Sequence, residues 1–263
     1  MGPIVLILGS GPAAVAVKSW DRSVFDHVVA INNAWRLRPD WDVSIHPEDF
    51  PDEHRPPGLS AGQRRIEARD YVPVQNAYGG FVYAGGTMAF TAGYWALGAL
   101  KPRVMAFFGC DMVYAATGRT HFYGTGTADP LRADITLQSL EGKAARLQLL
   151  AAEQGCACVN LSWQDSRLVF PRATLDDLAE ALPVEIDAGQ MAAAKAREAE
   201  LGYMVPSGRY WAEADRFDAG ALADLDALWL SAQRASVRTE PLRETASLAR
   251  RPGAAVSSFR RGA

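Results

Sequence analysis

The run Gly9-Ser10-Gly11-Pro12-Ala13-Ala14 is the stretch of this chain best suited to hold a ligand. It follows the apolar residues 4–8 and has the G-x-G-x-x-[GA] spacing of a dinucleotide-binding turn. Glycines at those places let a backbone approach a phosphate, and a helix opening beyond them presents its positive end to the anion. A tight strand-to-helix turn without ligand is the plainer alternative. Asn32 and Asn33 close the second apolar run, where NAD enzymes carry an acid for the ribose. An amide donates and accepts, so it suits a ribose or a base edge, but it disfavours an NAD oxidoreductase. A P-loop fails because Val17 stands where its glycine belongs, ahead of Lys18 and Ser19.

Four further places carry chemistry-bearing side chains. Gly85-Gly86-Thr87 opens a long apolar segment, where Thr87 can cap a helix or meet a ligand at its N-terminus. Asp111 follows the apolar residues 103–108, placed either to bind a ligand or to hold a loop. Arg119, His121 and Tyr123 share a glycine-rich loop, and His121 there can serve as a general base or a structural histidine. His46 ends the third apolar run before Pro47, whereas His27 and His54 read as surface residues. Cys110, Cys156 and Cys158 make neither a disulfide framework nor a zinc site, and 156 and 158 would share one face of a strand. No metal cluster and no G-x-S-x-G elbow is legible.

These groups need a scaffold, and the hydrophobic pattern supplies one. Continuous apolar runs at 4–8, 28–31, 43–45, 103–108 and 156–161 predict buried strands, each stopping at polar or glycine residues. Helices are predicted over 13–19, 61–70, 87–100 and 137–154, with an irregular loop over 47–58. The reading is an α/β fold, a Rossmann-like parallel sheet flanked by helices, over residues 1–170. Helices at 174–182, 189–201 and 219–235 predict a C-terminal helical extension over 171–246, followed by a basic tail at 247–263. Trp211 and Trp229 are placed to anchor a lid, a dimer interface or an acceptor platform.

The 263 residues include 27 Lys and Arg against 30 Asp and Glu, a net charge of −3, with 49% hydrophobic residues. Such a chain folds, and it has no general electrostatic footprint for nucleic acid. No apolar run reaches membrane-spanning length, so a cytoplasmic protein is expected, with a homo-oligomer left open.

Taken in order, the motifs resemble the bacterial sialyltransferases of glycosyltransferase family 42, together with the related motility-associated-factor glycosyltransferases and pterin diphosphokinase-like proteins. The resemblance rests on GSGPA, AINNAW, GGTMAFTAGYWALG, VMAFFGCDMVY, Thr120-His121, a strand ending NLS, and Ser166-Arg167-Leu168, covering about residues 3–170. It implies an inverting, metal-independent enzyme that needs no cofactor and transfers a sugar from a nucleotide, with a CMP-linked sugar as the expected donor, to a glycan or other hydroxyl acceptor. Gly9, Ser10, Gly11 and Pro12 would lie under the phosphate and ribose, with Asn32, Asn33, His46, Gly85, Gly86, Thr87 and Asp111 completing the nucleotide shell. His121 or His46 would take the acceptor's proton, and Tyr123 or Arg119 would stabilise the leaving phosphate. The family's base histidine falls at Thr125, and one of its phosphate-contacting tyrosines falls near Val113, one place from Tyr114. Residues 118–121 read more like the motility-associated group. The alternatives are an ATP-dependent pterin-type pyrophosphokinase using magnesium on Asp111, Asp129 and Asp134, and a non-catalytic nucleotide- or glycan-binding relative.

Overall fold

The computed structural model describes residues 2–114, 118–125 and 132–238. Asp129 and the predicted tail at 247–263 lie outside them. Strands β1 (Ile4–Leu8), β2 (His27–Ile31), β3 (Val43–Ile45), β4 (Arg64–Ile66), β5 (Val104–Phe108) and β6 (Ala157–Asn160) form one sheet in the order β4-β3-β2-β1-β5-β6. Every pairing is parallel, with Val5 opposite His27 on one side and opposite Met105 on the other. This is an α/β Rossmann-like fold. The five predicted strands are present because each is buried on both faces and so reads as an unbroken apolar run.

β4 corrects the prediction of a helix over 61–70. Gln63 donates its side-chain amide to the carbonyls of Pro39 and Trp41 at 2.8 and 2.9 Å, and the Arg64 N–H donates to Asp42 O at 2.9 Å. These bonds draw the segment onto the sheet as an edge strand, where charged Arg64 and Arg65 are tolerated. The helix begins later, as α1 (Ala68–Ala77), with the Glu67 N–H donating to the Asp70 carboxylate at 2.9 Å. Residues 13–19 form a 3-10 helix, Pro12–Ser19. The helix predicted over 174–182 shrinks to the 3-10 turn Asp176–Ala179, with Asp177 accepting both the N–H and the hydroxyl of Thr174, each at 2.7 Å. That hydroxyl donates instead of capping.

One face of the sheet, through Leu6, Val28, Ala30 and Ala106, packs on the 3-10 helices Pro12–Ser19 and Asn32–Leu37. The other face, through Val5, Ile7, Met105 and Phe107, packs on α3 (Met88–Leu100) and α4 (Leu140–Glu153), joined by the short α2 (Phe81–Ala84). Cys156 and Cys158 both enter this second core, and burial raises the Cys158 thiol well above its ordinary range. α5 (Ala188–Leu201) and α6 (Ala219–Ala235) continue the same core, contributing Met191, Leu222, Leu225 and Trp229. β7 (Val184–Glu185) and β8 (Val237–Arg238) form a small antiparallel ribbon beside them. Among the described residues no helix is long and apolar enough to cross a membrane.

Ionised groups join the C-terminal helices to α4. Arg146 grips Glu198 with Nε–Oε1 at 2.5 Å and a second contact at 2.8 Å, and also donates to Tyr94 and to the Tyr78 carbonyl. Trp229 Nε1 donates to the same Glu198 at 2.8 Å. Lys143 meets Asp226 at 2.8 Å, and burial pushes the Asp226 carboxyl up against the pull of that lysine. Removing one partner of such a pair strands the other charge in an apolar interior. Glu198→Ala is therefore expected to lower the unfolding free energy by about 3–5 kcal/mol. Glu200→Ala, which removes only the exposed contact to Arg197, should leave the urea midpoint almost unchanged.

Candidate functional site

A cleft of ≈ 1140 Å³ opens at the carboxyl ends of β1, β2 and β5. Strand order reverses here, since β1 lies between β2 and β5, and open α/β sheets bind ligands at such a reversal. Gly9, Ser10, Gly11, Pro12, Asn32, Asn33, Thr87, Asp111, Arg119, His121 and Tyr123 all line it.

The glycine turn is shaped first by the protein itself. A Cβ on Gly9 would lie 2.3 Å from Gly109 O and 2.7 Å from Cys110 Sγ. Gly109 has φ +67, and its own Cβ would meet Ala14 Cβ at 2.8 Å. The Gly9 and Gly11 amides donate to Phe108 O and Gly109 O at 2.8 and 2.9 Å, so neither is left for a ligand. Among the described residues, no protein acceptor takes the amides of Ser10 and Ala13, which flank the N–H-less Pro12.

Asn32 holds φ +51, a left-handed conformation that asparagine tolerates better than most residues. Its Oδ1 and that of Asn33 are buried without a hydrogen-bond partner among the described residues. Leaving a buried acceptor unmet costs about 1–3 kcal/mol, and both of these acceptors belong to residues that line the cleft.

The opposite wall is more self-sufficient. Asp111 Oδ1 accepts from Asn160 Nδ2 at 3.2 Å and faces Arg172 at 3.9 Å, and its carbonyl accepts the Arg167 N–H at 2.9 Å. It holds the loop together while lining the cleft. Thr87 caps α3 through the Phe90 N–H at 3.3 Å. The His121 N–H donates to Gly124 O at 2.9 Å, and the Phe122 N–H donates to Ser10 O at 3.0 Å, fastening this loop to the glycine turn. His121 Nδ1 lies 2.9 Å from Thr120 Oγ1, and its ring stacks on Tyr123 at 4.9 Å. Tyr123 and Arg119 are exposed at the mouth. Thr125, also on the lining, donates its hydroxyl to Gly118 O at 2.8 Å.

Three expected contacts are not on the lining. His46 is buried one layer behind Pro47 and Phe50, its Nδ1 3.0 Å from Pro47 O and its ring 5.3 Å from that of Phe50. Gly85 has φ +89 and packs on Lys143 and Phe90, which a Cβ would approach to 3.0 Å. Gly86 faces a second cavity, of ≈ 850 Å³, where its N–H donates to Thr136 and its carbonyl accepts from Arg132. Conversely, Asp49, His54, Gln164 and Asp165 line the cleft without a sequence signal, because irregular loops carry no periodicity. Of the acidic set named for magnesium, Asp111 lines the cleft and Asp134 the second cavity, Asp129 lies outside the described residues, and among those described no three metal-binding side chains group together.

Asp134 is saturated by Thr136, Tyr210 and Arg132, with Tyr210 Oη at 2.7 Å and the guanidinium at 2.9 Å. Burial raises its carboxyl, but these hydrogen bonds outweigh that and hold it below the ordinary value. Comparison with protein-family models, curated proteins and solved structures finds no match to this chain.

Two outcomes follow from the geometry. Asn32→Gly keeps the left-handed backbone and removes an unmet acceptor, so thermal melts should show no loss of stability, whereas Asn32→Ala should cost about 1 kcal/mol. A depressed carboxyl stabilises the fold above its unfolded value of about 3.9 and loses that contribution as pH falls through its folded value. The stability gap between wild type and Asp134→Asn, measured by urea melts, should therefore be full at neutral pH and close under acid conditions.

Proposed function

We propose that the cleft holds a nucleotide-activated sugar, CMP-linked by the resemblance noted above, and that the chain transfers the sugar to a hydroxyl acceptor with inversion and without a resident metal. The observation that carries this reading is the pair of unmet, buried carbonyl oxygens on Asn32 and Asn33. They line the same cleft as the Ser10 and Ala13 amides, at the end of the strand that pairs with β1. The carbonyl acceptors suit the amino and hydroxyl groups of a nucleoside, and the backbone donors suit its phosphate. In the transfer, the acceptor hydroxyl gives its proton to His121 as its oxygen bonds to the anomeric carbon. The bond to phosphate breaks on the opposite face, and the phosphate takes the electron pair with Arg119 and Tyr123 at hand to stabilise it.

One observation favours a second reading, a nucleotide- or glycan-binding relative without catalysis. Thr125 occupies the family's base position, and its hydroxyl is engaged with Gly118. The pterin-type pyrophosphokinase is less well supported, because Asp111 and Asp134 lie in separate cavities.

A thermal-shift panel of CMP, CMP-sugars, UDP-sugars, ATP with magnesium, and NADH separates these readings. A cytidine nucleotide at 100 times its dissociation constant should stabilise the fold by about 2.7 kcal/mol, and Asn32→Gly should abolish the shift. Stabilisation by ATP with magnesium alone would reverse the reading towards phosphoryl transfer. Donor hydrolysis or transfer by wild type and His121→Ala then tests the base: equal rates remove His121 from the mechanism.

A further inference from the structure

The second cavity meets the nucleotide cleft at Pro47, Asp49 and Met88, which line both. Its far wall is aromatic. Phe81 and Tyr210 lie 6.3 Å apart and nearly parallel, Tyr71 meets Phe81 edge-on at 6.1 Å, and Trp211 meets Tyr210 edge-on at 5.4 Å. Trp211 is 63% exposed while lining the cavity, so its ring face is open for a ligand to stack on. Tyr71, by contrast, is 6% exposed, and its hydroxyl has no hydrogen-bond partner among the described residues. Burial, with the carboxylates of Glu48 and Asp49 nearby, pushes that phenol up to about 12, so it remains a donor throughout the working pH range.

The charges of the cavity select the ligand. Arg132 is bound to Asp134 at 2.9 Å, Arg209 faces Glu48 at 3.6 Å, and Arg69 faces Glu67 at 3.3 Å. Asp49 has no ion pair among the described residues. The positive charges are therefore matched and a carboxylate is left over, which disfavours an anion. Aromatic faces suit the C–H faces of a sugar ring, and the remaining carboxylate and phenol suit its hydroxyls. The size lies within the range of small-molecule sites.

We propose that this second cavity binds the ring of a neutral saccharide, stacked on Trp211 and hydrogen-bonded by Tyr71 and Asp49, as the hydroxyl acceptor of the reaction. The acceptor role rests on the nucleotide-sugar reading above; the saccharide site itself stands on the cavity. Asp49 marks the place where an acceptor hydroxyl would emerge beside the donor.

The test is saturation-transfer NMR on the full chain, with lactose, maltose, chitobiose and methyl glucoside as neutral probes, and sialic acid and guanosine as anionic and planar comparators. At least one neutral saccharide should bind. Trp211→Ala should weaken it about tenfold or more, and Tyr71→Phe should weaken it by a smaller factor, with thermal melts and the cytidine-nucleotide shift unchanged. Trp211 is exposed and Tyr71→Phe keeps its ring, so both variants should fold. The proposal is overturned if no neutral saccharide binds, if binding ignores both substitutions, or if sialic acid or guanosine is preferred. A cytidine nucleotide that fails to stabilise the protein would count against the donor reading alone, because the saccharide measurement does not depend on it.

Discussion

A methyl group on Gly9 would come within 2.3 Å of the Gly109 carbonyl, so the ends of β1 and β5 cross backbone against backbone. That crossing sets the geometry of the cleft. It consumes the Gly9 and Gly11 amides in bonds to Phe108 and Gly109, turns the chain sharply into the Pro12–Ser19 helix, and leaves the Ser10 and Ala13 amides without acceptors among the described residues. It also presents the Ser10 carbonyl, on which the loop bearing His121 and Tyr123 is fastened through Phe122. A turn with the spacing of a phosphate-binding motif thus has an internal reason for its glycines. The amides left open to the cleft belong to the residues between and after those glycines.

The second cavity depends on a different constraint. Arg146, 2% exposed, is surrounded by Glu198, Tyr94, the Tyr78 carbonyl and the faces of Tyr83 and Trp229. Dehydrating a guanidinium is unfavourable, and only a full set of partners in place at once offsets it. Those partners come from α2, α3, α5, α6 and the turn after α1, so the ion fixes how the C-terminal helices sit on the sheet domain. Tyr83 extends the same link, donating to the Glu198 carbonyl at 2.8 Å and accepting the Tyr203 N–H at 2.7 Å. Asn76 donates to the Pro206 carbonyl at 2.7 Å. The segment carrying Tyr210 and Trp211 is thereby held over the sheet's edge, where it walls the second cavity. Trp229, equally prominent in the sequence, is spent inside the core on Glu198, whereas Trp211 lies at the surface.

Legibility in the sequence followed the physics of each element. Central strands are buried on both faces and announce themselves as apolar runs; α3 is buried nearly all round and does the same. β4 was hidden because an edge strand has charged residues and too few positions to show a period. The 3-10 segments Pro12–Ser19 and Asp176–Ala179 carry the residue types of ordinary helix starts, since capping chemistry looks alike in both until hydrogen-bond partners are known. Among site residues, Gly9 to Pro12, Asn32, Asn33, Thr87, Asp111 and the 119–123 loop share one cleft because each lies at or just beyond a strand's carboxyl end or at a helix start facing it. His46 also follows a strand, yet Phe50 and Pro47 fold over it. Gly85 and Gly86 precede the same helix as Thr87 but turn away from the cleft, one against Lys143 and the other towards Arg132.

By itself the sequence determined the parallel strands, the glycine turn after the first of them, and the inventory of amides, imidazole and phenol available for chemistry. Those are local properties: burial and period are written into consecutive residues, and a glycine is needed wherever a Cβ would collide. Only the tertiary structure decided which of those groups face a common space, and which acceptors are left unmet there. Cleft membership and hydrogen-bond satisfaction depend on contacts between residues far apart in the chain, such as Gly9 with Gly109, Arg146 with Glu198 and Tyr210 with Asp134. No short stretch of sequence contains both partners of such a contact.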